Sequence, residues 1–294
     1  MRIVKRIALV VVLAVAAIAS AGLAVLYVQA RPAPDQSGEY VALGSSFAAG
    51  PRLGPLAPGS PYACWRTVEN YSHQLAQATG LRLVDASCGG ATAGNILEGG
   101  PFFQPPQIEA VGSSARLVTI TVGGNDVGYI GDLGLLAYRA RGGILGSLIR
   151  TAWNGPRPDD ARPFDELVTR LVAIVTAVHR RSPQASVVLL TYPQVLPPSG
   201  TCASIGISEQ EALLMRGVAL RLAQATRTAA SRSRALLVDM ANESEGHDAC
   251  SGDPWVNGSA PRDGAMFHPN LAGARAAASS LEGVVRELRS QGRI

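Results

Sequence analysis

Five short apolar runs, at residues 39–43, 81–86, 117–122, 186–191 and 236–239, alternate along this chain with stretches of helical character. The helical stretches are residues 65–78, 164–181, 208–232 and 269–290. In the second of them Leu167, Leu171, Ile174, Val175 and Val178 share one face, and Pro183 ends it. The third opens on Ser208 with Glu211 three residues on, the pattern of a capping box. Strands that alternate with helices predict an α/β domain, a parallel sheet of five strands with helices on both faces. In such sheets chemistry gathers in the loops beyond the carboxyl ends of the strands. The loops here answer that demand: Gly44-Ser45-Ser46 follows the first run, Ser87-Cys88-Gly89-Gly90 the second, and Gly123-Gly124-Asn125-Asp126 the third. A long loop after the last run ends in Phe267-His268-Pro269-Asn270.

The predicted domain spans residues 38–294, a length within reach of one α/β unit. Before it, Arg2, Lys5 and Arg6 precede an uncharged run over residues 7–30, mostly Ala, Val, Leu and Ile. A basic start and an apolar stretch read as an export signal, and the run is also long enough to cross a bilayer. Residues 1–30 are therefore expected to be a cleaved signal peptide, with small residues at 28–30 or 19–21 as cleavage points, or an uncleaved anchor that touches the membrane through residues 7–30. In both cases the following residues lie outside the cytoplasm, in the cell envelope or the medium. Residues 31–37, rich in Pro and polar residues, read as a linker.

The net charge of +4 belongs mostly to the leading segment, which holds three basic residues and no acidic one; the remainder carries 23 basic against 22 acidic residues. No basic stripe with interleaved aromatics is present, so nucleic acid is not an expected partner. The four cysteines, Cys64, Cys88, Cys202 and Cys250, form no C-x-x-C pair, which argues against zinc. An even count outside the cytoplasm favours disulfides. Of the three pairings, the sequential one (Cys64 with Cys88, Cys202 with Cys250) closes the short loops and is preferred.

Acyl transfer needs a nucleophile, a base within hydrogen-bond reach and donors aimed at the developing oxyanion. Ser46 offers the hydroxyl. Of the four histidines, His73 and His179 fall in helices and His247 in a polar stretch, where structural or solvated roles are expected. His268 follows the last strand and precedes Pro269, a residue suited to the first position of a helix, and that location can return it to the sheet edge that holds Ser46. Gly90 can present an unobstructed backbone N–H, Asn125 a side-chain amide, and Ser46 its own N–H. The Gly-x-Ser-x-Gly elbow of α/β-hydrolases is not met, because Ala48 stands at its last glycine.

With these blocks in order, the chain resembles the SGNH/GDSL hydrolases, in their secreted actinobacterial branch. "GSSF" carries the nucleophile block, "ASCGGAT" the glycine block, "VGGND" the asparagine block and "FHPN" the histidine block. The resemblance covers residues 40–278, and "GGND" and "HPN" are its specific pieces. It implies a doubly wound, three-layer, flavodoxin-like fold. It also implies Ser46 as nucleophile, His268 as base, and Ser46, Gly90 and Asn125 as oxyanion donors, and its cysteine layout supports the sequential pairing. Two positions depart from the family. Ser45 stands where the first block usually has aspartate, which is expected to alter loop hydrogen bonding. Ala265 stands three before the histidine, where many members have aspartate, so the Ala265 carbonyl or Asp263 is the expected orienter of the imidazole.

The function so implied is an exported hydrolase of small-molecule, lipid or glycan esters, acting without metal or cofactor. The competing expectations are a non-catalytic envelope-binding protein on the same scaffold, motivated by the two departures, and a redox or metal protein built on the cysteines. Between residues 129 and 163, Leu133, Leu136, Leu145, Leu148 and Ile149 are expected to line an acyl pocket or lid, or to pack on the core.

Overall fold

The computed structural model describes residues 2–30 and 32–294, with side chains described from Leu9 in the leading helix. Arg31, the first residue of the expected linker, and the side chains of Arg2, Lys5 and Arg6 lie outside the described residues. In chain order the elements are α1 (Arg2–Ala30), β1 (Tyr40–Gly44), α2 (Ser46–Ala49), α3 (Tyr71–Thr79), β2 (Leu83–Asp85), α4 (Ala93–Glu98) and β3 (Leu117–Thr121). They continue with α5 (Tyr129–Arg141), α6 (Gly143–Ala152), α7 (Phe164–Arg181), β4 (Ser186–Leu190), α8 (Glu209–Ser233), β5 (Leu236–Val238), α9 (Met240–Glu243) and α10 (Leu271–Ser290).

The five strands form one parallel sheet in the order β2-β1-β3-β4-β5. Alternate side chains point to opposite faces, and both faces are covered. Val41, Leu43, Val118, Ile120, Val187 and Leu189 pack with α4, α5, α7 and α8. Tyr40, Ala42, Leu117, Val188, Leu190 and Val238 pack with α3 and α10. This is the three-layer, doubly wound arrangement. Its strand order reverses between β1 and β3, and that switch point is where open sheets leave a crevice.

Three local expectations need correction. The helix expected from residue 65 starts only at Tyr71, because Asn70 caps it by accepting the His73 N–H. The residues before it are held in a loop instead, with Thr67 and Val68 donating to the Ala49 and Pro55 carbonyls. Pro269 does not open the last helix: Asn270 is the N-cap, its side chain accepting from the Gly273 N–H, and Pro269 lies in an isolated bridge with Val256. The segment after Tyr129 divides. Leu133 and Leu136 of α5 are fully buried in the core and Ile149 of α6 is nearly so, whereas Leu145 and Leu148 of α6 face outward.

Helix α1 contains an apolar span, Leu9–Ala30, with mean hydropathy 2.8 and none of its residues buried. Its length and composition suffice to cross a bilayer.

Candidate active site at the switch point

Ser46 is the first residue of α2, directly after β1. Gly44 makes that abrupt turn, with φ of 143° and room for no side chain: a Cβ there would meet the Thr121 carbonyl oxygen at 2.3 Å. Beside it, β2 is too short to pair with the end of β1. The Cys88 N–H beyond β2 still donates to the Gly44 carbonyl at 3.0 Å, and Gln107 adds to it, accepting the Gly44 N–H at 2.7 Å and donating to that carbonyl at 3.0 Å. The nucleophile block is thus pinned on both edges.

His268 arrives from the loop before α10. Its Nε2 lies 2.7 Å from Ser46 Oγ, across 222 residues of sequence. Its Nδ1 lies 2.7 Å from the Met266 carbonyl. A carbonyl only accepts, so Nδ1 carries the proton and Nε2 presents its lone pair to the serine. The orienting group is therefore Met266, not Ala265 or Asp263. The turn that brings Met266 to the ring uses the Ala265 carbonyl to accept the His268 backbone N–H. Asn257 holds the same turn by donating to the carbonyls of Asp263 and Ala265. His268 is 8% exposed, and this burial, which disfavours the imidazolium, pushes its pKa down to about 4 against the weaker opposing effect of the Met266 bond.

The three expected donors lie just after successive strands: Ser46 after β1, Gly90 after β2 and Asn125 after β3. Gly90 has φ of 79°, a conformation that favours glycine. Among the described residues its N–H and that of Ser46 have no acceptor. The Gly90 loop is fastened from behind by the Cys64–Cys88 disulfide and by the Gly89 N–H donating to the Cys64 carbonyl. Asn125 follows β3, and its Nδ2 donates to the Ala91 carbonyl at 2.9 Å. That bond fixes the amide and leaves its second N–H for another acceptor. Asp126 accepts the Ala93 N–H through both oxygens at 3.0 Å, tying the β3 loop to α4; burial raises its pKa.

Besides Gln107, Asn257 and Met266, two further residues escaped the sequence reading. Tyr192 follows β4, and its hydroxyl accepts the Gly124 N–H at 3.2 Å and meets Ser45 Oγ at 2.8 Å. Ser45, fully buried, in turn points its hydroxyl at the Thr121 carbonyl at 3.4 Å. The residue that replaces the usual aspartate thus joins the loops after β1, β3 and β4. Phe47 packs against both the Tyr192 and His268 rings, with centroids 4.0 and 4.8 Å away. The place of Tyr192 just beyond a strand was a usable signal, whereas Phe47 carried none.

The remaining histidines lie elsewhere in the fold. His73 bonds Asn70 within α3, His179 ends α7, and His247 stacks on Trp255 while its Nδ1 meets the Asp253 carbonyl. A second disulfide joins Cys202 to Cys250. Among the described residues no group of three or more His, Cys, Asp or Glu is placed to hold a metal ion.

Comparison with known proteins bears on the family and the fold. The GDSL-like lipase/acylhydrolase family matches residues 42–276. Lipase 2 of Streptomyces coelicolor is 31% identical over 286 residues, covering 89% of this chain and 91% of the relative. The crystal structure of an extracellular lipase from Streptomyces rimosus superposes with a TM-score of 0.67 at 27% identity, covering 83% of this chain and 98% of that one. Phospholipase A1 from Streptomyces albidoflavus gives 0.64 at 28% identity, covering 84% and 99%. The chain belongs to the GDSL-like lipase/acylhydrolase family, and its enzyme class is that of the carboxylic ester hydrolases.

Proposed function

We propose that this protein is an exported hydrolase of the lipase and esterase type that cleaves carboxylic esters through an acyl-enzyme on Ser46. The observation that carries the reading is the 2.7 Å contact between Ser46 Oγ and a His268 Nε2 freed for it by the Met266 carbonyl. His268 takes the serine proton as Oγ attacks the ester carbonyl. The oxyanion that forms is met by the N–H groups of Ser46 and Gly90 and the free N–H of Asn125. The tetrahedral intermediate collapses, the alcohol leaves with the proton from His268, and the acyl group stays on Ser46. Water, deprotonated by His268, repeats the cycle and releases the acid. The backbone carbonyl of Met266 supplies the orienting acceptor that a triad carboxylate would otherwise provide.

Residues 1–30 act as the export signal or anchor, residues 31–37 as linker and residues 38–294 as the catalytic domain. Their apolar span supports this reading, as does the extracellular lipase among the similar structures. Lipid esters are the favoured substrate class, in line with the lipases and the phospholipase the chain is similar to. The test is hydrolysis of p-nitrophenyl esters of increasing acyl length by the full chain in detergent micelles. Ser46→Ala is expected to lower kcat by at least about a thousandfold. Undiminished turnover in that variant rejects the nucleophile, and an inactive parent favours a binding protein on this scaffold.

A further inference from the structure

A group of large side chains near the C-terminal end of α1 faces solvent instead of core. Leu56, Tyr62, Trp65, Phe102 and Phe103 are between 41% and 64% exposed. Three of them hold an unfavourable backbone: φ is 57° at Trp65, 55° at Phe102 and 63° at Phe103. Bulky residues avoid the left-handed region. A fold that keeps aromatics there, without burying them, places the strain where a partner can repay it.

The partner is indicated by what ends on this face. Leu26, near the C-terminal end of α1, lines a shallow groove with Arg52, Leu56, Tyr62, Trp65 and Phe102. The Tyr27 ring meets Phe103 edge-on at 5.9 Å, and the Gln29 side chain accepts the Tyr62 N–H at 3.0 Å. The span that ends here, Leu9–Ala30, is apolar and unburied. A bilayer that takes up this helix has its outer interface at the helix end, the depth at which aromatic rings settle. Arg52, which lines the same groove, supplies a cation that lipid phosphates can pair with.

The same face is continuous with the rim of the active site. Phe102 and Phe103 follow Pro101, whose Cγ is the nearest atom, at 4.0 Å, to a Cβ built on Gly90. The Arg52 carbonyl accepts the Gly264 N–H from the loop that leads to Met266 and His268.

We propose that α1 is retained as an anchor and that Tyr62, Trp65, Phe102 and Phe103 form a lipid-docking rim, seating the catalytic mouth on the outer surface of the bilayer so that ester lipids enter from the leaflet. This rests on the hydrolase reading above for its purpose, but docking itself is measurable without turnover.

The full chain is reconstituted into vesicles of phosphatidylcholine or of the same lipid brominated in its acyl chains, and tryptophan fluorescence is read. Brominated lipid is expected to quench the parent, and Trp65→Asn to remove most of that quenching. Asparagine is chosen because it tolerates the left-handed backbone. Quenching that is absent, or unchanged in Trp65→Asn, overturns the proposal. So does a dimer in micelles that buries the rim without quenching, which would assign the face to a second copy, and so does a mature chain that starts at residue 31.

In the activity arm, Phe102→Asn with Phe103→Asn is expected to slow hydrolysis of a vesicle-borne ester lipid about tenfold, while hydrolysis of soluble p-nitrophenyl acetate changes less than twofold. Equal loss on both esters would make the rim a structural element and overturn it. Quenching in a parent that hydrolyses neither ester supports docking while rejecting the hydrolase reading.

Discussion

At the scale of single residues, the site depends on which atoms are left with something to give. The Met266 carbonyl can only accept, and this forces the His268 tautomer that faces Ser46. Because burial lowers the imidazole pKa to about 4, His268 remains a free base well below the ordinary histidine range. The acid limb of kcat/KM is therefore expected near pH 4 and not near pH 6.5, as a pH profile with a soluble ester will read. Asn125→Ala removes one of the proposed oxyanion donors and is expected to lower kcat by about a hundredfold to a thousandfold with little change in KM. Tyr192→Phe strips an acceptor from the buried Gly124 N–H and a partner from Ser45. Its expected cost is about 1–3 kcal/mol of stability, measured by urea unfolding.

At the scale of elements, the sheet and its chemistry were legible because they rest on local pattern. The β-branched runs marked the strands, and the small-residue clusters marked strand ends, so that Ser46, Gly90 and Asn125 were read just after β1, β2 and β3 and His268 in the loop before α10, where the structure has them. What escaped was non-local. Nothing around Ala265 says whether its carbonyl or that of Met266 will meet a ring, since the choice is made by Asn257 reaching back to the same turn. The helix start at Tyr71 was misplaced for a like reason: residues 65–70 carry acceptable helical propensity but are claimed by bonds to Ala49 and Pro55. Segment 129–163 showed its apolar residues without showing that α5 turns them inward and α6 turns Leu145 and Leu148 outward. Two consequences belong to this scale. Gly44→Ala drives a methyl into the Thr121 carbonyl at the end of β1 and is expected to cost about 3 kcal/mol or more, read as a fall in Tm. Replacing Cys64 and Cys88 together by alanine opens a loop spanning 24 positions. About 3 kcal/mol should be lost, and the rate should drop as the Gly90 N–H loses its support.

At the scale of the whole molecule, the crevice at the β1/β3 reversal is the meeting point of chain segments 222 positions apart, so assembly of the site and folding of the domain are one event. The buried histidine then ties stability to pH. Its unfolded pKa near 6.5 exceeds its folded value of about 4, so the unfolded chain binds the proton first as pH falls. The contribution is fully present above pH 6.5 and is lost progressively down to pH 4, at most about 3 kcal/mol. Urea midpoints at pH 7 and pH 4.5 should converge in His268→Gln relative to the parent. The central claim, that Ser46 is the nucleophile His268 activates, is tested most directly by treating the full chain with a fluorophosphonate and locating the adduct by mass spectrometry. The account predicts one phosphonyl group, on the peptide containing Ser46, appearing in step with loss of ester hydrolysis and formed far more slowly in His268→Gln. An adduct on another serine that abolishes activity, or full activity with Ser46 modified, would contradict it.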